Sequence, residues 1–431
     1  MNTVRRTVEL LTALLVGAVA GWALVSPVAT DFGTAGSDGK LSALTTSGQL
    51  ASAVGMLAAA AVAGRFSGRR SARTAQLAAL IGLALLVTVQ YATDGALRFE
   101  WLLAATWVWG IAAGVALGGA AAAASDRIGT VMLIGSAVAA FVAVPVATEL
   151  LGAGPGHGWT AYSPLTDAIP ADAAPIWWLL LPAVVATAFA VALGGARTAG
   201  RSTRGLAVTA VVVATALATN AAIGAAQDNR PLAGVLLAVF VAVTIACAFA
   251  LDGQDGALLL TTTAIVAAAI VAGAAPLSAW SDTTWINVAI PVVGLAVGVA
   301  VGTRWPSVVV GLTLLATVSV AGFLPDLTDG MNDATRWLVL APIAGYAVGS
   351  CDPVRSGATV AGLAVLFVPS ALTVAGQAAP GSVAELSPFQ PLPRGMLASM
   401  PPDRYWLTVA MAAVGLVTIA AAGVLRQRDD S

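Results

Sequence analysis

Hydrophobic positions in this chain come in long unbroken runs, with neither strict alternation nor a single apolar stripe. A helix needs about 20 mostly apolar residues to cross the hydrocarbon core of a bilayer. Only helices and closed barrels satisfy every backbone polar group in lipid, and continuous runs point to helices over the two-residue period of barrel strands. The pattern predicts fourteen spans, at about 8–26, 47–64, 75–93, 101–123, 128–149, 176–195, 206–226, 232–251, 257–275, 285–302, 306–324, 336–350, 356–376 and 405–425. The connections are short and rich in Gly, Pro, Asp and Ser, as turns require. Two are longer, 150–175 and 377–404.

Composition sharpens the reading. Of 431 residues 58% are hydrophobic and 10% charged, against about 25% charged in soluble domains. A soluble enzyme, a disordered chain and a nucleic-acid binder are excluded, and the net charge of -1 offers no basic footprint. The expected fold is an all-α polytopic membrane protein with the lipid bilayer as its partner. Two cysteines, Cys247 and Cys351, and one histidine, His157, give neither a disulfide framework nor a zinc site. No cofactor is expected. Lys40 is the only lysine, and with the alanine load this suggests a GC-rich bacterial genome. The expected location is the bacterial cytoplasmic (inner) membrane.

Orientation follows from the arginines. With both termini cytoplasmic, fourteen of the twenty basic residues fall inside, among them Arg65, Arg69, Arg70, Arg127, Arg304 and Arg355. This is the positive-inside bias. Arg5 and Arg6 ahead of the first run fit an uncleaved first helix better than a secretory signal.

Two correspondences suggest an internal repeat. Val62-Ala63-Gly64-Arg65-Phe66-Ser67 ends span two, and Val301-Gly302-Thr303-Arg304-Trp305-Pro306 ends span ten, with Gly55 matching Gly294. Tyr162-Ser163-Pro164-Leu165 precedes span six, and Leu386-Ser387-Pro388-Phe389 precedes span fourteen. The shift is eight spans both times. The simplest organisation is a six-span bundle over 1–200, two inserted spans over 201–256 and a second six-span bundle over 257–431. Gly110 and Gly114 are four apart, as are Gly294 and Gly298. Such pairs suit either sliding surfaces between rocking halves or static helix contact.

That layout resembles the fourteen-span branch of the major facilitator superfamily. The family's loop between spans two and three reads roughly G-x-L-a-D-R-x-G-R-R. Here the stretch is Ala61-Val62-Ala63-Gly64-Arg65-Phe66-Ser67-Gly68-Arg69-Arg70. The closing Gly68, Arg69 and Arg70 fit, while Arg65, after Gly64, holds the acidic position and Phe66 the next basic one. The resemblance implies a transporter in which that acid helps lock the cytoplasmic side. Thr106 stands where many members carry an arginine, and Val144 precedes Pro145 where drug–proton antiporters carry Gly-Pro. Proton antiport is therefore not implied.

Ionisable groups inside spans mark ion or proton paths, and none falls near a predicted midplane. Glu9, Glu100 and Glu149 sit at span ends, and His157 in an outer loop. Gln49, Gln90, Thr106, Trp107 and Trp109 are candidate cavity residues. A cavity so lined suits a hydrophobic or amphipathic molecule. The reading is a non-enzymatic transporter working by alternating access. The alternative is a transport-inactive scaffold in cell-envelope assembly, with its outer loops facing unknown protein partners.

Overall fold

Helices form at all fourteen expected places: α1 (Asn2–Val25), α2 (Asp38–Phe66), α3 (Ala72–Thr93), α4 (Phe99–Ala123), α5 (Arg127–Gly152), α6 (Trp177–Leu193), α7 (Thr203–Ala225), α8 (Arg230–Ala250), α9 (Gly253–Val271), α10 (Trp285–Arg304), α11 (Val308–Ala321), α12 (Asp333–Ser350), α13 (Ser356–Phe367) and α14 (Arg404–Asp429). The computed structural model describes residues 2–25, 38–67, 72–93, 99–124, 126–152, 177–193, 203–225, 230–251, 253–271, 285–321, 333–353, 355–368 and 404–429. Within them, eight helices are long and apolar enough to cross a bilayer, and six more are apolar but shorter. The protein is a multi-pass membrane protein.

Some boundaries differ from the expectation. α1 starts at Asn2, so Glu9 lies in its second turn. There Arg5 Nε reaches Glu9 Oε1 at 3.1 Å, four residues on, which supports a polar first turn ahead of the apolar run. α9 starts at Gly253, ahead of the expected span, and carries Asp255 in its first turn. The long loops 153–176 and 369–403 lie outside the described residues. So do the Tyr162 and Leu386 motifs and His157.

The helices pack in a repeated scheme. α1 packs on α4, α5 and α6, α2 on α4, and α3 on α4 and α6. Eight helices later, α9 packs on α12, α13 and α14, α10 on α12, and α11 on α12 and α14. Two six-helix bundles result, with α7 and α8 inserted between them in the chain. The contacts between bundles follow the same pseudo-two-fold rule: α2 meets α13 as α10 meets α5, and α4 meets α13 as α12 meets α5.

Small residues set the closest approaches. Lipid tails are as apolar as leucine, so helices in a bilayer associate largely by close packing. Along the α2–α4 seam a Cβ on Gly114 runs into the Gly55 carbonyl, and one on Gly110 or Gly118 into the carbonyl of Ala51 or Ala59. The α10–α12 seam repeats this, with Gly298 against Pro342 and Gly345 against Leu295. Both glycine pairs noted in the sequence therefore serve static contact inside a bundle, and neither is a sliding surface between halves.

Candidate functional site

Three ion pairs run in a chain across the side that holds both termini, the side the arginine bias marks as cytoplasmic. Arg6 at the start of α1 meets Asp126 in the α4–α5 turn, Nη2 to Oδ2 at 3.3 Å. The next residue, Arg127, crosses to the other bundle. Its Nη2 donates to the Gly349 carbonyl at 3.3 Å, and its Nε stands 3.8 Å from Asp352 Oδ1 in the α12–α13 turn. Arg355 then meets Asp255 of α9. Its backbone N–H donates to Asp255 Oδ1 at 3.3 Å, and its Nε is 3.9 Å from Oδ2.

The repeat explains the placement and adds a twist. α1 and α9 are equivalent, and so are the two turns. In the first bundle the helix supplies the cation and the turn the anion; in the second the signs are exchanged. Asp126 is further held by the Gly129 N–H at 2.9 Å, which caps α5. Asp255 is buried, while the Arg127 and Asp352 side chains keep about a third or more of their exposure. The pair between bundles is thus partly exposed, though less so than the Arg6–Asp126 pair within the first bundle.

Cys351 lies beside Asp352, outside the helices and fully buried. Its thiol donates to the Ala347 carbonyl at 3.3 Å and lies 3.4 Å from Thr261 Oγ1. Burial pushes the thiol up to about 11, against a weaker opposite pull from Thr261 and Arg127.

Of the expected loop motif, only Gly64 and Arg65 are described, and neither takes part in these three ion pairs. Arg65 is exposed at the end of α2, and Gly64 has open space where a Cβ would stand. Gly68, Arg69 and Arg70 lie outside the described residues. Four residues of the two turns take part in these contacts. Their signal was present in the sequence: Asp126-Arg127 follows span four and Asp352-Pro353-Val354-Arg355 follows span twelve, at the same eight-span shift.

Of the candidate cavity residues, Thr106 and Trp109 are buried on one stripe of α4, and Trp107 is half-buried. Trp109 stands ten residues into α4, about 15 Å along the helix axis. Its indole N–H is buried without a hydrogen-bond partner. Gln90 is buried near the outer end of α3. Gln49 is drawn elsewhere: its Oε1 accepts from Asn220 Nδ2 of α7 at 3.2 Å. Deeper in the membrane Phe141 of α5 and Phe367 of α13 meet edge to face across the bundles, 6.4 Å between centroids. The residues Asp255–Ala269 of α9 and all of α13 are buried without a break.

A second, smaller feature lies within the first bundle. Arg6, Glu9, Thr12, Gln76 and Asp126 line a water-sized cavity between α1, α3 and the α4–α5 turn. Thr12 Oγ1 and Gln76 Oε1 are buried there without a protein partner. In the second bundle, Thr261 stands as far after Asp255 as Thr12 does after Arg6, and it is met by Cys351.

No family model and no curated protein matches the chain. Solved structures do. The fold is similar to that of the major facilitator superfamily proton:xylose symporter XylE at TM-score 0.50 and 12% identity, over 97% of this chain and 95% of that one. An auto-inhibited POT family peptide transporter is similar at TM-score 0.47 and 12% identity, over 98% and 96%. A bacterial homologue of the human lysosomal transporter Spinster follows at 0.40 and 14%, over 98% and 95%. The fold assignment rests on the first of these and on the helix pairing above. The chain has the major-facilitator fold, with fourteen helices among the described residues.

Proposed function

We propose that this protein is a transporter that moves a hydrophobic or amphipathic small molecule across a bacterial cytoplasmic membrane by alternating access. The observation that carries the reading is the Arg127–Asp352 contact. It joins two repeat-related bundles through a partly hydrated ion pair, at the side where each bundle is separately braced by its own pair. Such a closure costs little to break, and it is placed where separation of the bundles would open a path. The bundles correspond to residues 1–200 and 257–431, with 201–256 inserted. The Trp109 indole N–H, buried and unpartnered, supplies a donor for one polar acceptor on an otherwise apolar substrate.

The test is reconstitution in liposomes with lipophilic fluorescent compounds, with and without a proton gradient. Downhill movement that ignores the proton gradient is the expected result. Uptake driven by the gradient overturns the uncoupled reading, and movement of none of the compounds by folded protein overturns transport.

One observation favours the scaffold reading: the unbroken burial of α9 and α13 leaves the interface around them filled. Under that reading Arg127→Gln has no effect on the permeability of liposomes, and the outer loops, outside the described residues, bind the partner.

A further inference from the structure

The pseudo-two-fold relation makes the two seams between bundles equivalent, α2 with α13 on one side and α5 with α10 on the other. The inserted helices destroy that equivalence. α7 packs on both α2 and α13, and α8 packs on α7, α9 and α14. Near the cytoplasmic end α7 crosses α13 at two glycines, where a Cβ on Gly205 would lie 2.6 Å from Gly357 Cα. Towards the outer end Asn220 bonds Gln49 of α2. α8 is fixed in turn to the second bundle. It joins α9 through Gly253, whose φ of 23° suits glycine, and Arg428 of α14 donates to the Phe249 carbonyl at 3.2 Å.

The other seam has no such cover. Among the described residues neither α7 nor α8 packs on α5 or α10. There a Cβ on Gly135 would stand 3.3 Å from Val299 Cγ2, which is close contact between apolar groups. Ile128, Val297 and Val301 expose 41%, 55% and 38% of their surface to the surroundings. Among the described residues, the polar tie near this seam is Arg127 at its cytoplasmic end.

We infer that the bundles hinge on the α2–α7–α13 side and part along α5–α10, and that this second seam is the lateral door between the bilayer and the space between the bundles. A lipophilic substrate that partitions into lipid would pass there. The route rests on the transport reading; the hinge does not.

Two measurements test it, both with Cys247 and Cys351 replaced by serine. The first is distance measurement between spin labels. Labels at Ile128→Cys and Val301→Cys report the door. Labels at Leu206→Cys paired with Arg65→Cys, and at Leu206→Cys paired with Val424→Cys, report the hinge side. Adding Asp352→Asn to break the cytoplasmic pair should lengthen and broaden the door distance and leave both hinge distances in place. Widening on both sides, or on neither, overturns the hinge.

The second is disulfide tethering during uptake of a lipophilic fluorescent probe. Oxidation of Gly135→Cys/Val299→Cys should cut uptake by about ten-fold, reversibly by reductant, and oxidation of Gln49→Cys/Asn220→Cys should leave it within about two-fold. Equal loss in both pairs, loss only in the second, or loss in neither overturns the door. If the untethered protein moves no probe, the transport reading falls, and the label distances still decide the hinge.

Discussion

Arg127 and Asp352 meet from different bundles with 3.8 Å between Nε and Oδ1, and each has beside it in sequence a residue that strengthens or reports the contact. Asp126, before Arg127, is pinned by Arg6 and by the Gly129 amide. Cys351, before Asp352, is fully buried against Thr261 and Ala347. Hydration limits the pair itself: a partly exposed ion pair contributes about 0.2–1 kcal/mol.

That magnitude sets the first prediction. Arg127→Gln removes both the pair and the bond to the Gly349 carbonyl. With Cys247 replaced by serine, the alkylation rate of Cys351 by a membrane-permeant maleimide should rise about five-fold, the shift that about 1 kcal/mol gives. Asp352→Asn should raise it comparably, and the double variant no further than the larger single effect, as expected of residues acting as one unit. A double variant equal to the product of the singles would show two independent contributions and no pair.

The second prediction concerns pH. Burial disfavours the thiolate, so the Cys351 thiol sits at about 11 instead of its ordinary 9.0. Below both values the thiolate fraction climbs ten-fold per pH unit, and at pH 8 the buried thiol holds roughly 100-fold less thiolate than an ordinary one. Alkylation of the closed protein should therefore keep climbing through pH 10 with no plateau. In Asp352→Asn the curve should bend over nearer 9, because the opened thiol meets water and loses the neighbouring carboxylate that helps to raise it. A plateau near 9 in the unaltered protein would mean that Cys351 is not sealed.

The sequence displayed most of the architecture because lipid simplifies the code. Every span must be an apolar helix, so fourteen runs became fourteen helices, with errors mainly where polar residues join a helix end. α1 begins earlier than expected because Arg5 and Glu9 pair along its first turns, and α9 because Asp255 finds Arg355. The closure was harder to see. Arg127 and Arg355 read as ordinary inside arginines, and only packing reveals that each faces an acid from another segment, 225 residues on for Arg127 and 100 back for Arg355. Gln49 shows the opposite limit. A polar residue in an apolar run suggests a cavity, yet its partner Asn220 comes from an inserted helix whose position no local pattern announces.

Packing inside a bundle supplies the third prediction. Gly114 has no room for a Cβ because the Gly55 carbonyl stands there, whereas Gly64 has nothing within 4 Å of that position. Gly114→Ala should lower the stability of the detergent-solubilised protein by about 1–3 kcal/mol, the usual cost of overpacking. Gly64→Ala should stay within about 0.5 kcal/mol, as surface changes do. Thermal unfolding followed by thiol exposure separates the two. Equal effects would show that α2 and α4 do not approach as closely as the glycines allow.

The last prediction addresses a polar group deep in α4. The Trp109 indole N–H is buried, unpartnered and about 15 Å into α4. An orphan donor costs the folded protein its desolvation, so removing it should not destabilise, whereas a ligand that accepts from it gains roughly 1 kcal/mol. Trp109→Phe should therefore raise the half-saturating concentration of a lipophilic probe about five-fold while leaving thermal stability unchanged or slightly higher. Trp107→Phe, at a half-buried position on another face, should change neither. Loss of stability with unaltered probe binding would make Trp109 a packing residue and remove the donor from the proposed site.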